Sequence, residues 1–217
     1  MKSNTTCYMC DSPATSQEHA PPACFFPKFK EFNRDLRRNL ITVPSCDQHN
    51  SLKSKDDEFF KAVITLVSDK SKIGKHQFNQ KILHAISRRP NTYGNFFKKR
   101  GTLNKGLNQA LEIDRNRFDN CIDHLARAIF YYNYNKKWKL PLSVFSPNFI
   151  SSIENDNAVL HTKSIEMISL VNIHLEHELY HGENPEVFKF RIKYNDIEGI
   201  YIFNAIFYDS FNIYSIS

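Results

Sequence analysis

Cys7-x2-Cys10 and Cys46-x2-His49 are two ligand pairs separated by thirty-five residues. Thiolate and imidazole are the ligands Zn²⁺ prefers, and four of them close a tetrahedral site with no position left for water. A closed site of this kind serves folding. It ties the chain around residue 7 to the segment around residue 46, and in a small unit the metal replaces a core the chain cannot build. Cys-x2-Cys in a reducing compartment points to metal or redox chemistry rather than to a disulfide framework. The opening residues, MKSNTTCYMCDS, lack the apolar run of a signal peptide, and no window holds the roughly 18 apolar residues of a membrane span. The expectation is a cytoplasmic protein with reduced cysteines and no membrane partner. Cys24, in PPACFFP, has no paired ligand and reads as a packed residue.

The formal net charge of +6 conceals a pattern. Residues 1–60 carry 8 Lys and Arg against 8 Asp and Glu, residues 61–140 carry 17 against 5, and residues 141–217 carry 4 against 10. A basic block followed by an acidic third fits a partner that presents phosphates to the middle of the chain. A solvated helical face explains the same block without any partner. At its centre, SRRPNTYGNFFKKRGTLNKG sets Arg88, Arg89, Lys98, Lys99 and Arg100 around Tyr93, Phe96 and Phe97. Cations interleaved with aromatic rings can follow a nucleic-acid backbone and stack on bases, while a flexible connection between packed parts is the plainer alternative.

The coarse organisation is α+β. DEFFKAVITLV opens a helix, residues 68–108 read as loop-rich, and Phe118, Ile122, Leu125, Ala126 and Ile129 fall at helical spacing across 114–135. Cys121 and His124 share that helix and read as structural. A second amphipathic helix is expected over about 164–180, with Ile165, Ile168, Leu175 and Leu179 on one side. In EVFKFRIKY the apolar residues Phe188, Phe190, Ile192 and Tyr194 alternate with cations, the pattern of a half-buried strand. Two more strands follow after short turns, which predicts an antiparallel β-meander.

Between the two ligand pairs stands QEHAPP, and after it RRNLITVPSC and HNSLK. The order Glu18-His19, Pro22, Asn39, Cys46-x2-His49, Asn50, Lys53 resembles the HNH endonuclease family across residues 5–60. The resemblance implies a zinc-stapled ββα-metal (HNH) module over 1–60. Beyond it lie a basic, mainly helical region over 61–140 and an acidic region over 141–217 of helices with the meander.

By position, the resemblance makes His19 the general base, and Glu18 and Asn50 the ligands of a catalytic Mg²⁺ or Mn²⁺. Asn39 would hold the histidine, and Lys53 would touch phosphate. Glu and Asn offer oxygen donors, which suit a hard cation. On one short helix, His49 would then turn to the zinc and Asn50 to the chemistry. Asp56 and Asp57 read as first-turn, solvated carboxylates in preference to a third ligand.

The implied activity is phosphodiester hydrolysis in nucleic acid, DNA foremost, with restriction or anti-phage defence as a setting known for such nucleases. A zinc-dependent nucleic-acid-binding module without catalysis is the alternative. His177-Glu178-x-x-His181 offers a remote third reading, a zinc peptidase, whose motif sits at the very end of its helix. The C-terminal region is open to choosing the target, binding a protein partner or second copy, or restraining the nuclease.

Overall fold

The computed structural model describes residues 5–68, 70–102, 109–149 and 155–217. It shows a mixed α+β chain. Strands β1 (Ser16–His19) and β2 (Thr42–Ser45) pair antiparallel, with Glu18 opposite Val43 and His19 opposite Thr42. The connection between them carries a 3₁₀ turn, Ala23–Phe25, and the one-turn helix α1 (Phe29–Phe32). After β2, two 3₁₀ turns (Asp47–His49 and Ser51–Lys53) lead into α2 (Ser54–Leu66). The order is therefore hairpin, then helix.

Residues Phe59 to Thr65 of α2 are buried without interruption, so this helix has no solvent face along that stretch. A helix of that kind belongs at the centre of a fold. It packs against α6, the 23–25 turn and the segment after α3. Here the structure departs from the loop-rich expectation for 68–108. The chain forms α3 (Lys72–Gln77), a π-helical turn (Phe78–Ile82), α4 (Leu83–Arg88) and α5 (Pro90–Gly94). A hairpin follows, β3 (Phe97–Thr102) with β4 (Gln109–Ile113).

Helix α6 (Arg115–Tyr134) begins at Asp114, whose carboxylate accepts the Arg117 backbone N–H, and ends at Asn135 in the left-handed conformation. Its expected apolar stripe is buried: Phe118, Ile122, Leu125, Ala126 and Ile129. Strand β5 (Ser143–Phe145) and helix α7 (Asn155–His174) precede the meander β6 (Phe188–Asn195), β7 (Ile200–Phe207) and β8 (Phe211–Ile216). The sheet order is β5-β8-β7-β6, all antiparallel. Strand β7 is inner and almost wholly buried, because Val171 of α7 and Leu175 just past its end cover one face while the main core covers the other.

Helix α7 stops at His174, earlier than the sequence pattern suggests, and Ile165 and Leu179 are exposed. The sheet offers this helix only a short apolar strip, around Ile202 and Tyr214, and Val171 and Leu175 are enough to fill it.

The three charge segments share one core, running from Cys7 to Ile213, and position 60/61 lies inside α2. Aromatic rings join the segments. Phe25 meets Phe60 at 5.2 Å and Phe207 at 5.0 Å, and Phe60 meets Phe118 at 5.5 Å. Tyr208 donates its hydroxyl to the Phe25 carbonyl at 2.8 Å. Phe118 also packs edge-on against Phe149 at 4.7 Å. Phe118→Ala is therefore expected to cost about 3–5 kcal/mol in urea unfolding, the range for deleting a fully buried ring.

Candidate functional site

The four predicted zinc ligands come together. Cys10 Sγ lies 3.8 Å from Cys46 Sγ, and His49 Nδ1 lies 3.5 Å from Cys7 Sγ, 3.5 Å from Cys10 Sγ and 3.2 Å from Cys46 Sγ. A tetrahedron with Zn–S of about 2.3 Å and Zn–N of about 2.0 Å has edges of about 3.8 Å (S–S) and about 3.5 Å (S–N). The donor spacing fits that ion, and the cluster can hold a metal such as zinc. It is the only group of three or more such donors among the described residues. Cys24 lies outside it: part of the residue reaches the surface, while burial of its thiol pushes that group up to about 11.

The knuckle is pinned from far along the chain. Lys137 Nζ donates to the Cys10 carbonyl at 2.7 Å, to Thr6 Oγ1 at 2.8 Å and to Asp11 Oδ1 at 2.9 Å.

Beside the cluster is a cavity of about 50 Å³, room for a few waters or an ion rather than a nucleotide. β1 contributes Glu18 and His19, α2 contributes Lys53 from its leading edge and Asp57, and α6 contributes Asn120, Cys121 and His124. Glu18 is buried and His19 exposed, since neighbours on a strand point opposite ways and β1 ends at His19. Glu18 accepts from Ser45 Oγ at 3.3 Å and is ion-paired with Lys53, whose Nζ also lies 3.5 Å from Asp57 Oδ1. Tyr8, set between two cluster cysteines, stands against Glu18 and reaches His124 Nδ1 at 3.4 Å.

Burial pushes the Glu18 carboxyl up, with Lys53 opposing it. It pushes Asp57 to about 6, again opposed by Lys53 and aided by Glu18. Burial works to lower the Lys53 ammonium, but Glu18 and Asp57 outweigh it and leave its pKa above the ordinary value. His124 is pushed down to about 4 by burial and by the Lys53 charge, so it sits neutral in the wall.

Lys53→Met would leave Glu18 buried without its cation, at a cost of about 3–5 kcal/mol near pH 7. Glu18 is an acid whose folded pKa is raised, so folding favours its protonated form. The penalty grows as pH rises above the unfolded value and shrinks as pH falls. Unfolding of variant and wild type at pH 7 and pH 5 checks this, and a gap that stays constant counts against the pairing.

Three expectations are altered. Asn50 does not line the cavity: its amide nitrogen donates to Ser16 Oγ at 2.8 Å and to the Gln17 carbonyl at 3.2 Å, fastening the turn to β1. His49 and Asn50 also do not share one helix, because Asn50 is a non-helical joint (φ −125°, ψ −77°) between two 3₁₀ turns. Asn39 is exposed with φ +50°, and no hydrogen bond links it to His19 among the described residues. Its role visible here is to make the left-handed bend before β2.

Two of the three aromatic residues in the basic segment are not open for stacking, while Phe97 is half-buried. Tyr93 and Phe96 are buried, 5.0 Å apart. Arg89 is engaged by Glu58, while Arg88 is exposed and makes no ion pair among the described residues. Lys98, Lys99 and Arg100 lie on β3, and their side chains fall outside the described ones. His177 and Glu178 follow the end of α7, and His181 bridges to Phe190, so the peptidase-like motif is not helical.

The sequence pattern favours a solvated Asp57 and a structural His124 and does not single out Tyr8, yet all three stand at the cavity. Asp57 stands four residues after Lys53, one helical turn, which is the available signal. Asn120, Cys121 and His124 form the polar margin of the α6 apolar stripe, a weaker one. No protein-family model, curated protein or solved structure matches the chain.

Proposed function

We propose that this chain is a divalent-metal-dependent nuclease of the HNH type that hydrolyses phosphodiester bonds in nucleic acid, DNA foremost, and that its Cys₃His cluster carries structural zinc. The carrying observation is the convergence of Glu18 and His19 from a hairpin with Lys53 and Asp57 from the following helix, against a cluster that fastens hairpin to helix.

The cavity suits a catalytic cation. Two carboxylates with raised proton affinity face a position already shared by one ammonium, and their oxygens are hard donors of the kind Mg²⁺ and Mn²⁺ take. Glu18 and Asp57 would hold the ion, with Asn50 kept for the β1 contact. When bound, the ion supplies positive charge against the charge building on the leaving 3′ oxygen. His19, exposed at the rim, takes a proton from water as the water oxygen bonds to phosphorus and the P–O3′ bond breaks. The leaving 3′ oxygen takes a proton from solvent water, and the products are a 5′-phosphate and a 3′-hydroxyl. Lys53 neutralises the carboxylate pair in the absence of the divalent ion and offers an ammonium to the phosphate otherwise.

The same Lys53 favours a second reading, a nucleic-acid-binding module without catalysis in which the lysine permanently takes the cation's place. Nicking of supercoiled plasmid, and cleavage of single-stranded DNA and RNA, separates the two readings. Under the nuclease reading cleavage stops with EDTA and returns with Mg²⁺ or Mn²⁺. Failure to cut any of these substrates removes the enzyme and leaves the binding module.

A further inference from the structure

Helix α2 has a second groove on it, of about 580 Å³, which shares Pro22 and Asp57 with the Glu18 cavity. Four of its lining residues are cations: Lys55, Lys61, Lys81 and Arg89. Two of these are already neutralised, Lys81 by Glu31 and Arg89 by Glu58.

Lys61 is different. It is only 8% exposed, and its ammonium donates to two neutral acceptors, the Cys24 carbonyl at 2.8 Å and Gln77 Oε1 at 2.7 Å. An ammonium has three donors, so one N–H remains. No carboxylate pairs with it among the described residues. Burial of an uncompensated charge is costly, and proteins normally pair such a group or bind a counter-ion to it. Burial lowers the Lys61 pKa to about 8, which still leaves it mainly charged at neutral pH. The position is a buried donor at the wall of an open groove, which exposed Lys55, six residues back on the same helix, also lines.

We propose that this groove is a phosphate subsite, in which Lys61 and Lys55 together take one phosphate group. On the nuclease reading, from which the next step follows, that group is a backbone phosphate of the strand whose scissile bond lies at His19. A free mononucleotide presents the same chemistry, and the two sources are separable by experiment.

The test titrates the full-length, zinc-loaded protein with inorganic phosphate and with a fluorescent single-stranded DNA oligonucleotide, Ca²⁺ replacing Mg²⁺ to prevent turnover. Wild type is expected to bind both, with phosphate competing against the strand. Lys61→Met should weaken each by about tenfold or more, the scale of a lost charge-assisted hydrogen bond, and the exposed change Lys55→Ala by a smaller factor. Unchanged binding in both variants overturns the subsite. Should Lys61→Met fail to fold, acetylation of Lys61 in the wild type decides: phosphate should protect the amine, and absence of protection overturns the proposal. Phosphate binding without strand binding assigns the groove to a mononucleotide. Phosphate binding that depends on Lys61 in a protein that cleaves nothing retains the subsite and removes the nuclease.

Discussion

Replacing Cys46 with serine is expected to release the zinc proposed for the cluster and to collapse the stability of the whole chain, the largest structural effect any single change here should have. Structural zinc sites contribute on the order of 10–16 kcal/mol of apparent binding free energy, comparable with the entire stability of an ordinary domain, about 5–15 kcal/mol. The loss should not stay local. Cys7 and Cys46 belong to the same buried core as Phe60, Phe118 and Phe207, and Tyr8 between the cluster cysteines packs against Glu18. Even ~5 kcal/mol would lower Tm by roughly 10–20 °C in a chain of this size. Metal analysis of protein purified without chelator should find one zinc per chain, and Cys46→Ser should hold none tightly. Cys24→Ser is the control, since that cysteine lies outside the cluster. Protein free of zinc as purified, or Cys46→Ser melting with wild type, would refute the assignment.

What was legible in the sequence follows from how local its causes are. The four cluster residues could be read because few side chains bind zinc and their spacing within each pair is short. Helix α6 and the meander could be read because their periods, 3.6 and 2, reflect one buried face each. The cavity is half legible for the same reason. Glu18, His19 and Lys53 lie within one supersecondary unit, while its other wall, Asn120, Cys121 and His124, arrives from α6. Nothing near those residues says which neighbour their side of the helix will meet. Asn50 lies away from the cavity because two 3₁₀ turns stand where the pattern suggests one helix, and the non-helical joint between them turns its amide to β1. Part of the basic surplus is engaged within the chain: Arg117 of α6 pairs with Asp56 of α2, and Arg115 and Arg127 pair with Asp119 and Asp123 one turn away on α6.

His19→Ala should remove cleavage while leaving the fold intact, and that separation makes it the sharpest test of the chemistry. The side chain is exposed and makes no hydrogen bond among the described residues, so truncation should change unfolding free energy by no more than about 0.5 kcal/mol. Loss of a positioned general base typically costs ~10²–10⁴ in rate, and the residual activity should still need the divalent ion, because Glu18 and Asp57 are untouched. Glu18→Gln provides the opposite signature. It removes a buried charge that Lys53 answers, so stability, metal dependence and activity should all change together. A nuclease in which His19→Ala cuts like wild type would have its base elsewhere. Neutral His124, across the cavity and already hydrogen-bonded to Tyr8, would be the next group to replace. Should His19→Ala lose stability in step with activity, His19 would instead be part of the scaffold, and the hairpin would be holding a structure rather than presenting a base.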